Sequence, residues 1–190
     1  MPRRAVAAAF ALCVALPALG ESLEGVTLPD EASAGDRHLI LNGLGLREAT
    51  ILKVNVYVAG LYLPAKSSDP YAILKVDVPK RIVMHFVRNV GKEKLVEAWN
   101  EGFDKNAGAS KDQVAPGLLQ LDGAMVDVRS DDTIVLTYLP ETGTTVVVKG
   151  KDAVTIPGAD FARVLFSIWL GPSPPNVGLK VGLLGRAPAR

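Results

Sequence analysis

Thiols are all but absent from this sequence: its 190 residues include a single cysteine, Cys13, within the first twenty. No intrachain disulfide can brace the fold, and thiol catalysis is excluded from the rest of the chain. Histidine is scarce as well. His38 and His85 stand far apart, with no cysteine or paired carboxylate at ligand spacing. They read as ordinary strand residues, and no metal site is expected. Neither sign of charge dominates, since 21 Lys and Arg face 20 Asp and Glu. That balance gives no electrostatic case for nucleic acid as a partner. There is no Walker loop and no Gly-x-Ser-x-Gly elbow, which removes support for nucleotide and serine hydrolysis. Gly43-x-Gly45 invites a dinucleotide reading, but position 48 holds Glu48 and a strand follows where a helix is required. No cofactor is implied.

Long hydrophobic runs are also missing, apart from one near the start. "MPRRAVAAAFALCVALPALGES" has a basic opening (Arg3, Arg4), an apolar stretch from Ala5 to Leu16 and a small-x-small ending at Ala18-Leu-Gly20. This is the three-part pattern of a secretory signal peptide over residues 1–20, with cleavage expected before Glu21. The apolar stretch is too short for a membrane span. Cys13 does not fit a lipid anchor, because Leu12 precedes it where a small residue belongs. Removal of Arg3 and Arg4 leaves 19 basic side chains against 20 acidic ones. The short, Arg-led signal points to export into a bacterial periplasm, and residues 21–190 form one expected domain. With 48% hydrophobic and 22% charged residues overall, a sizeable core is available.

The remaining pattern is rich in strands. Residues 38–47 and 50–64 read as consecutive strands with a tight connection at Glu48-Ala49. A short helix is expected over 67–76, capped by Ser68 or Asp69 with Pro70 in its first turn. Residues 80–88 form a strand, 90–108 an amphipathic helix and 111–121 a second helix. From Met125 to Ile156, turn chemistry at Ser130-Asp131-Asp132, Pro140 to Gly143 and Lys149 to Asp152 breaks the chain into an antiparallel meander. A strongly apolar helix then covers 158–171, stopped at Gly171, and a short apolar piece follows at 179–184. Without βαβ alternation, this order gives an α+β fold, with an antiparallel sheet and helices on one face.

Within the strand at 50–64, Leu52, Val54, Val56, Val58, Gly60 and Tyr62 form a largely apolar face. Ile51, Lys53, Asn55, Tyr57, Ala59 and Leu61 form a mixed one. Two readings of the mixed face stay open. It meets solvent, as in a half-exposed antiparallel strand, or helices cover it and leave a cleft with Asn55 and Tyr57 in the wall. In the second case Arg47, at the edge of the hairpin, is the fixed cation available to an anionic head group.

The segments "LNGLGLREATILKVNVYVAGLYL", "VGKEKLVEAWNEGF", "YLPETGTTVVVKG" and "DFARVLFSIWLGPSPPNVGLKVGLLG", in that order, resemble the bacterial exported branch of the chalcone-isomerase-like family over roughly residues 25–185. The resemblance implies an open-faced β-sandwich, in which a large antiparallel sheet carries a layer of helices with a ligand cleft between them. Relatives are either plant isomerases that close a chalcone to a flavanone or non-catalytic fatty-acid-binding proteins. Arg47 matches the arginine that stabilises developing charge in the former and meets the carboxylate in the latter. The catalytic threonine falls at Tyr57. Of the helix tyrosine, lysine and asparagine only Lys94 is kept; the other two positions hold Gly91 and Ala98. The pocket pair on the last long helix falls at Ser167 and Ile168. The expected site is therefore Arg47, Asn55, Tyr57, Lys94, Ala98, Ser167 and Ile168, with Arg47 and Tyr57 as the catalytic pair if there is chemistry. The expected ligand is a hydrophobic, anionic small molecule such as a fatty acid. An isomerase acting on a chalcone-like enone, and an envelope interaction module with a self-filled cleft, are the alternatives.

Overall fold

The computed structural model describes residues 20–49 and 52–186. The expected signal peptide, and Ile51 of the mixed face, lie outside the described residues. Nine strands and five α-helices make up the described chain. Strands β1 (Gly20–Leu23) and β2 (Val26–Pro29) form a two-stranded ribbon. The main sheet runs in chain order through β3 (Glu31–Ala34), β4 (Arg37–Ala49), β5 (Val54–Leu63), β6 (Lys80–Phe86), β7 (Thr133–Leu139), β8 (Gly143–Val148) and β9 (Lys151–Ile156). Every neighbouring pair is antiparallel. The first three strands carry no sequence-level expectation, because each has only four residues and β1 and β3 are largely polar.

The helices are α1 (Pro70–Lys75), α2 (Lys92–Asn106), α3 (Lys111–Ala124), α4 (Ala159–Leu170) and α5 (Val177–Leu183). Asp69 caps α1: its Oδ1 accepts from the amides of Tyr71 (2.9 Å) and Ala72 (3.2 Å). This satisfies two donors that the first turn otherwise leaves open. Helix α4 is buried over most of its surface, as its strongly apolar sequence requires, with Asp160 and Arg163 paired on its open side.

The principal core lies between one face of the sheet and these helices. Tyr57, Ala59 and Leu61 of β5 contribute to it together with Trp99, Phe103, Leu121 and the length of α4. Val58 on the opposite face packs instead against Val26 and Leu28 of the ribbon. The mixed face of β5 is thus the helix-covered one from Tyr57 onwards. The fold is α+β, an open-faced β-sandwich with its helical layer on one side.

Two features of β4 differ from expectation. The ladder does not end at Glu48-Ala49: Glu48 pairs with Asn55 and Ala49 with Val54, so the turn lies beyond them. The second concerns Gly43 and Gly45, whose spacing is set by packing against a helix rather than by a phosphate loop. A Cβ on Gly43 would lie 2.3 Å from the Gly182 carbonyl oxygen, and one on Gly45 would lie 2.3 Å from that of Leu179. Gly43 and Gly45 are flat because α5 rests directly on β4.

Candidate functional site

Period-two alternation places Gly43, Gly45 and Arg47 on the same face of β4. The two glycines seat α5, and the next inward position, Arg47, reaches a cavity of about 460 Å³ between sheet and helices. The docking of α5 also brings its leading segment to the arginine. The Asn176 side-chain amide donates to the Leu46 carbonyl (3.1 Å). Arg47 Nη1 donates to the carbonyl of Pro175 (3.4 Å) and to that of Glu48. Both acceptors are neutral, and no carboxylate forms an ion pair with Arg47 among the described residues.

Tyr57 stands directly across the ladder from Arg47. It is 7% exposed, its ring packs edge-on against Phe86 at 5.6 Å, and its hydroxyl accepts from Trp169 Nε1 at 3.1 Å. Burial pushes the phenol up to about 12, against the opposing pulls of the Trp169 hydrogen bond and the Arg47 charge. Tyr57 is therefore a neutral hydroxyl over the whole physiological range. The oxygen already accepts one bond, and its proton is left to donate. Met84 and Phe86 continue the sheet wall; Leu95, Trp99 and Ile168 close the helical side. Trp99 and Trp169 meet edge to face at 5.7 Å. The interior is apolar, with its polar groups gathered at the Arg47 end.

Exposed lining residues mark the mouth: Arg88 and Gly91 before α2, Lys94, Ala98, Glu101 and Lys105 along it, and Ser173 after α4. Lys94 pairs with Glu97 at 2.6 Å, and Lys105 pairs with Glu101. The Lys105 hydrogen bond and charge hold the Glu101 carboxyl below the usual range, with a smaller contribution from Arg47. Four cations against one carboxylate line the cavity and its mouth.

Of the seven expected site residues, Arg47, Tyr57, Lys94, Ala98 and Ile168 line the cavity. Lys94 does so only at the rim, with its side chain 75% exposed. Asn55 and Ser167 do not line it. The reason for Asn55 is a β-bulge. Arg47 pairs with Tyr57 and Glu48 with Asn55, which leaves Val56 as an extra residue on β5. The bulge turns Val56 and Tyr57 to the cavity and Asn55 away from it, where its amide donates to Glu24 at 3.1 Å. Ser167 is buried, and its hydroxyl donates to the Val164 carbonyl one turn back at 2.6 Å, a local bond common for serine inside helices. Sequence reasoning missed Trp169, Arg88 and Lys105. Trp169 lies in an apolar helix with no mark to separate cavity wall from core, and the cations look like any solvated pair.

No curated protein matches the sequence in a direct comparison. Among solved structures, a fatty-acid binding protein of Arabidopsis thaliana is similar to the chain. The TM-score is 0.67 at 18% sequence identity, and the match covers 87% of this chain and 95% of that one. At this identity the likeness concerns the fold. The family model described as chalcone isomerase-like matches residues 20–185. The chain belongs to the chalcone isomerase-like family.

Proposed function

We propose that the protein is a periplasmic carrier or receptor for a hydrophobic, anionic small molecule of fatty-acid type, held in the cavity between sheet and helices. The observation that carries this reading is Arg47, a fixed cation in an apolar cavity whose hydrogen-bond partners among the described residues are backbone carbonyls. A carboxylate placed there would gain a charge-assisted contact from the guanidinium and a second hydrogen bond from the Tyr57 hydroxyl. The alkyl chain would lie along Met84, Phe86 and the two tryptophans, at about 0.8 kcal/mol for each buried methylene before the costs of association. The likeness to a fatty-acid binding protein supports the same ligand class.

A displacement titration with a medium-chain fatty acid and its methyl ester tests the reading. The acid is expected to bind about tenfold or more tightly than the ester, the worth of one hydrogen bond to a charged group. Equal affinity for the two would remove the anion anchor.

One observation favours a second reading, an intramolecular lyase acting on an enone: a neutral phenol donor stands beside a cation. Such chemistry needs positioned proton handling. At the three helix positions where the family resemblance places a tyrosine, a lysine and an asparagine, the α2 side of the cavity holds Gly91, a Lys94 already paired with Glu97, and Ala98. Chalcone cyclisation is expected to run no faster with the protein than in buffer. An acceleration that Tyr57→Phe abolishes would reverse this preference.

A further inference from the structure

The edge of the cavity carries two bulky apolar side chains that the ligand reading does not use. Leu52, at the tip of the β4–β5 hairpin, is 84% exposed, and Val177, at the start of α5, is 72% exposed. Each lies within three residues, along the chain, of a residue that lines the cavity, and the two positions together are termed the lip. Ala49, in the last pair of the β4–β5 ladder, lines the cavity, and so does Pro175, two residues before Val177. Cations accompany them. Lys53 follows Leu52 at the hairpin tip, and Arg88 is an exposed lining residue of the mouth just after β6. Neither forms an ion pair among the described residues, whereas Lys94 and Lys105 are balanced by Glu97 and Glu101. Glu48 is the remaining acid on the hairpin.

We propose that this lip docks on an anionic lipid bilayer, with Leu52 and Val177 seated at the headgroup boundary and Lys53 and Arg88 on lipid phosphates. The inference rests on the reading of the cavity as an amphiphile site. Apolar side chains standing beside unpaired cations are the combination that holds a peripheral protein on a charged membrane. Two exposed apolar side chains are too few to make a broad apolar patch of the kind a second protein surface would cover. No helix among the described residues is long and apolar enough to cross a membrane, so the contact is peripheral. Docking in this orientation presents the mouth to the bilayer, and an alkyl chain can pass into the cavity without crossing bulk water.

The test is sedimentation of the purified protein with phosphatidylcholine vesicles, with and without phosphatidylglycerol. Binding is expected to the anionic vesicles and to weaken as salt is raised. Lys53→Glu is expected to weaken it about fivefold or more, and the double variant Leu52→Asp, Val177→Asp at least as much. Titration of a soluble fatty acid should be unchanged in these variants, because none of the three residues lines the cavity. Absence of binding to anionic vesicles, or binding that both variants leave intact, would overturn the proposal. Concentration-dependent self-association abolished by Leu52→Asp, with no vesicle binding, would assign the lip to a second copy of the chain and overturn it equally. Vesicle binding without any fatty-acid binding would sustain the docking surface and refute the ligand reading alone.

Discussion

Gly45→Ala is expected to destabilise the protein by about 3 kcal/mol, as overpacking against an immovable neighbour does. For a domain of this size that is a fall in Tm of roughly 6–12 °C. The added Cβ would sit 2.3 Å from the Leu179 carbonyl oxygen and 2.9 Å from its Cδ1. The first contact is backbone on a helix and the strand lies inside a seven-stranded sheet, so neither side can move aside cheaply. The reciprocal substitution, Gly182→Ala, would bring its Cβ within 2.1 Å of the Leu44 carbonyl oxygen. Gly123→Ala serves as the control, because nothing lies within 4 Å of a Cβ there. Thermal melts of the three variants decide the matter; a Gly45→Ala protein that melts with the wild type would refute direct seating of α5 on β4. The consequence reaches the cavity, since α5 holds Asn176 on Leu46 and Pro175 on Arg47. A variant with partly displaced α5 is expected to bind ligand poorly even where it remains folded.

Arg47→Met is expected to weaken fatty-acid binding about 10- to 100-fold while leaving Tm close to that of the wild type. Methionine keeps an unbranched apolar stem against the cavity wall and removes the guanidinium. The stability effect is small because Arg47 is half-buried and, among the described residues, bonded to neutral carbonyls, so no buried charge is left without its partner. Arg47→Lys should fall between the two, as a lysine keeps the charge and loses the planar fork that matches a carboxylate. Fluorescence displacement with a charged acid reads the effect. Unchanged affinity in Arg47→Met would refute the anchor, and a collapse of Tm would show that the arginine holds the segment before α5 rather than a ligand.

The architecture was legible in the sequence because its period-two and period-3.6 patterns are strong and its turns carry turn residues. Arg47 was legible for a different reason: a charge interrupting a run of glycine and leucine is conspicuous. What failed was anything that depended on a break in regularity or on a remote partner. Strict alternation puts Asn55 and Tyr57 on one face, and a single extra residue at Val56 separates them. Nothing local announces that bulge, since Val56 sits among residues equally suited to a regular strand. The role of Gly43 and Gly45 was hidden because their neighbours, Leu179 and Gly182, lie more than a hundred residues further along the chain. Ser167 looked available for the site because a sequence does not show whether a helical hydroxyl turns back on its own carbonyls.

The edge-to-face contact of Trp99 with Trp169 has an optical consequence. These are the only two tryptophans in the chain, and both stand in the walls of the same cavity. The entire indole emission of the molecule therefore originates within a few ångströms of the space a ligand would fill. One of the two emitters is hydrogen-bonded to Tyr57, the residue opposite Arg47, so its spectrum follows the polar end of the cavity as well as the apolar one. Filling the cavity changes the surroundings of every emitter at once, with no distant indole to dilute the signal. The protein reports its own occupancy without a label.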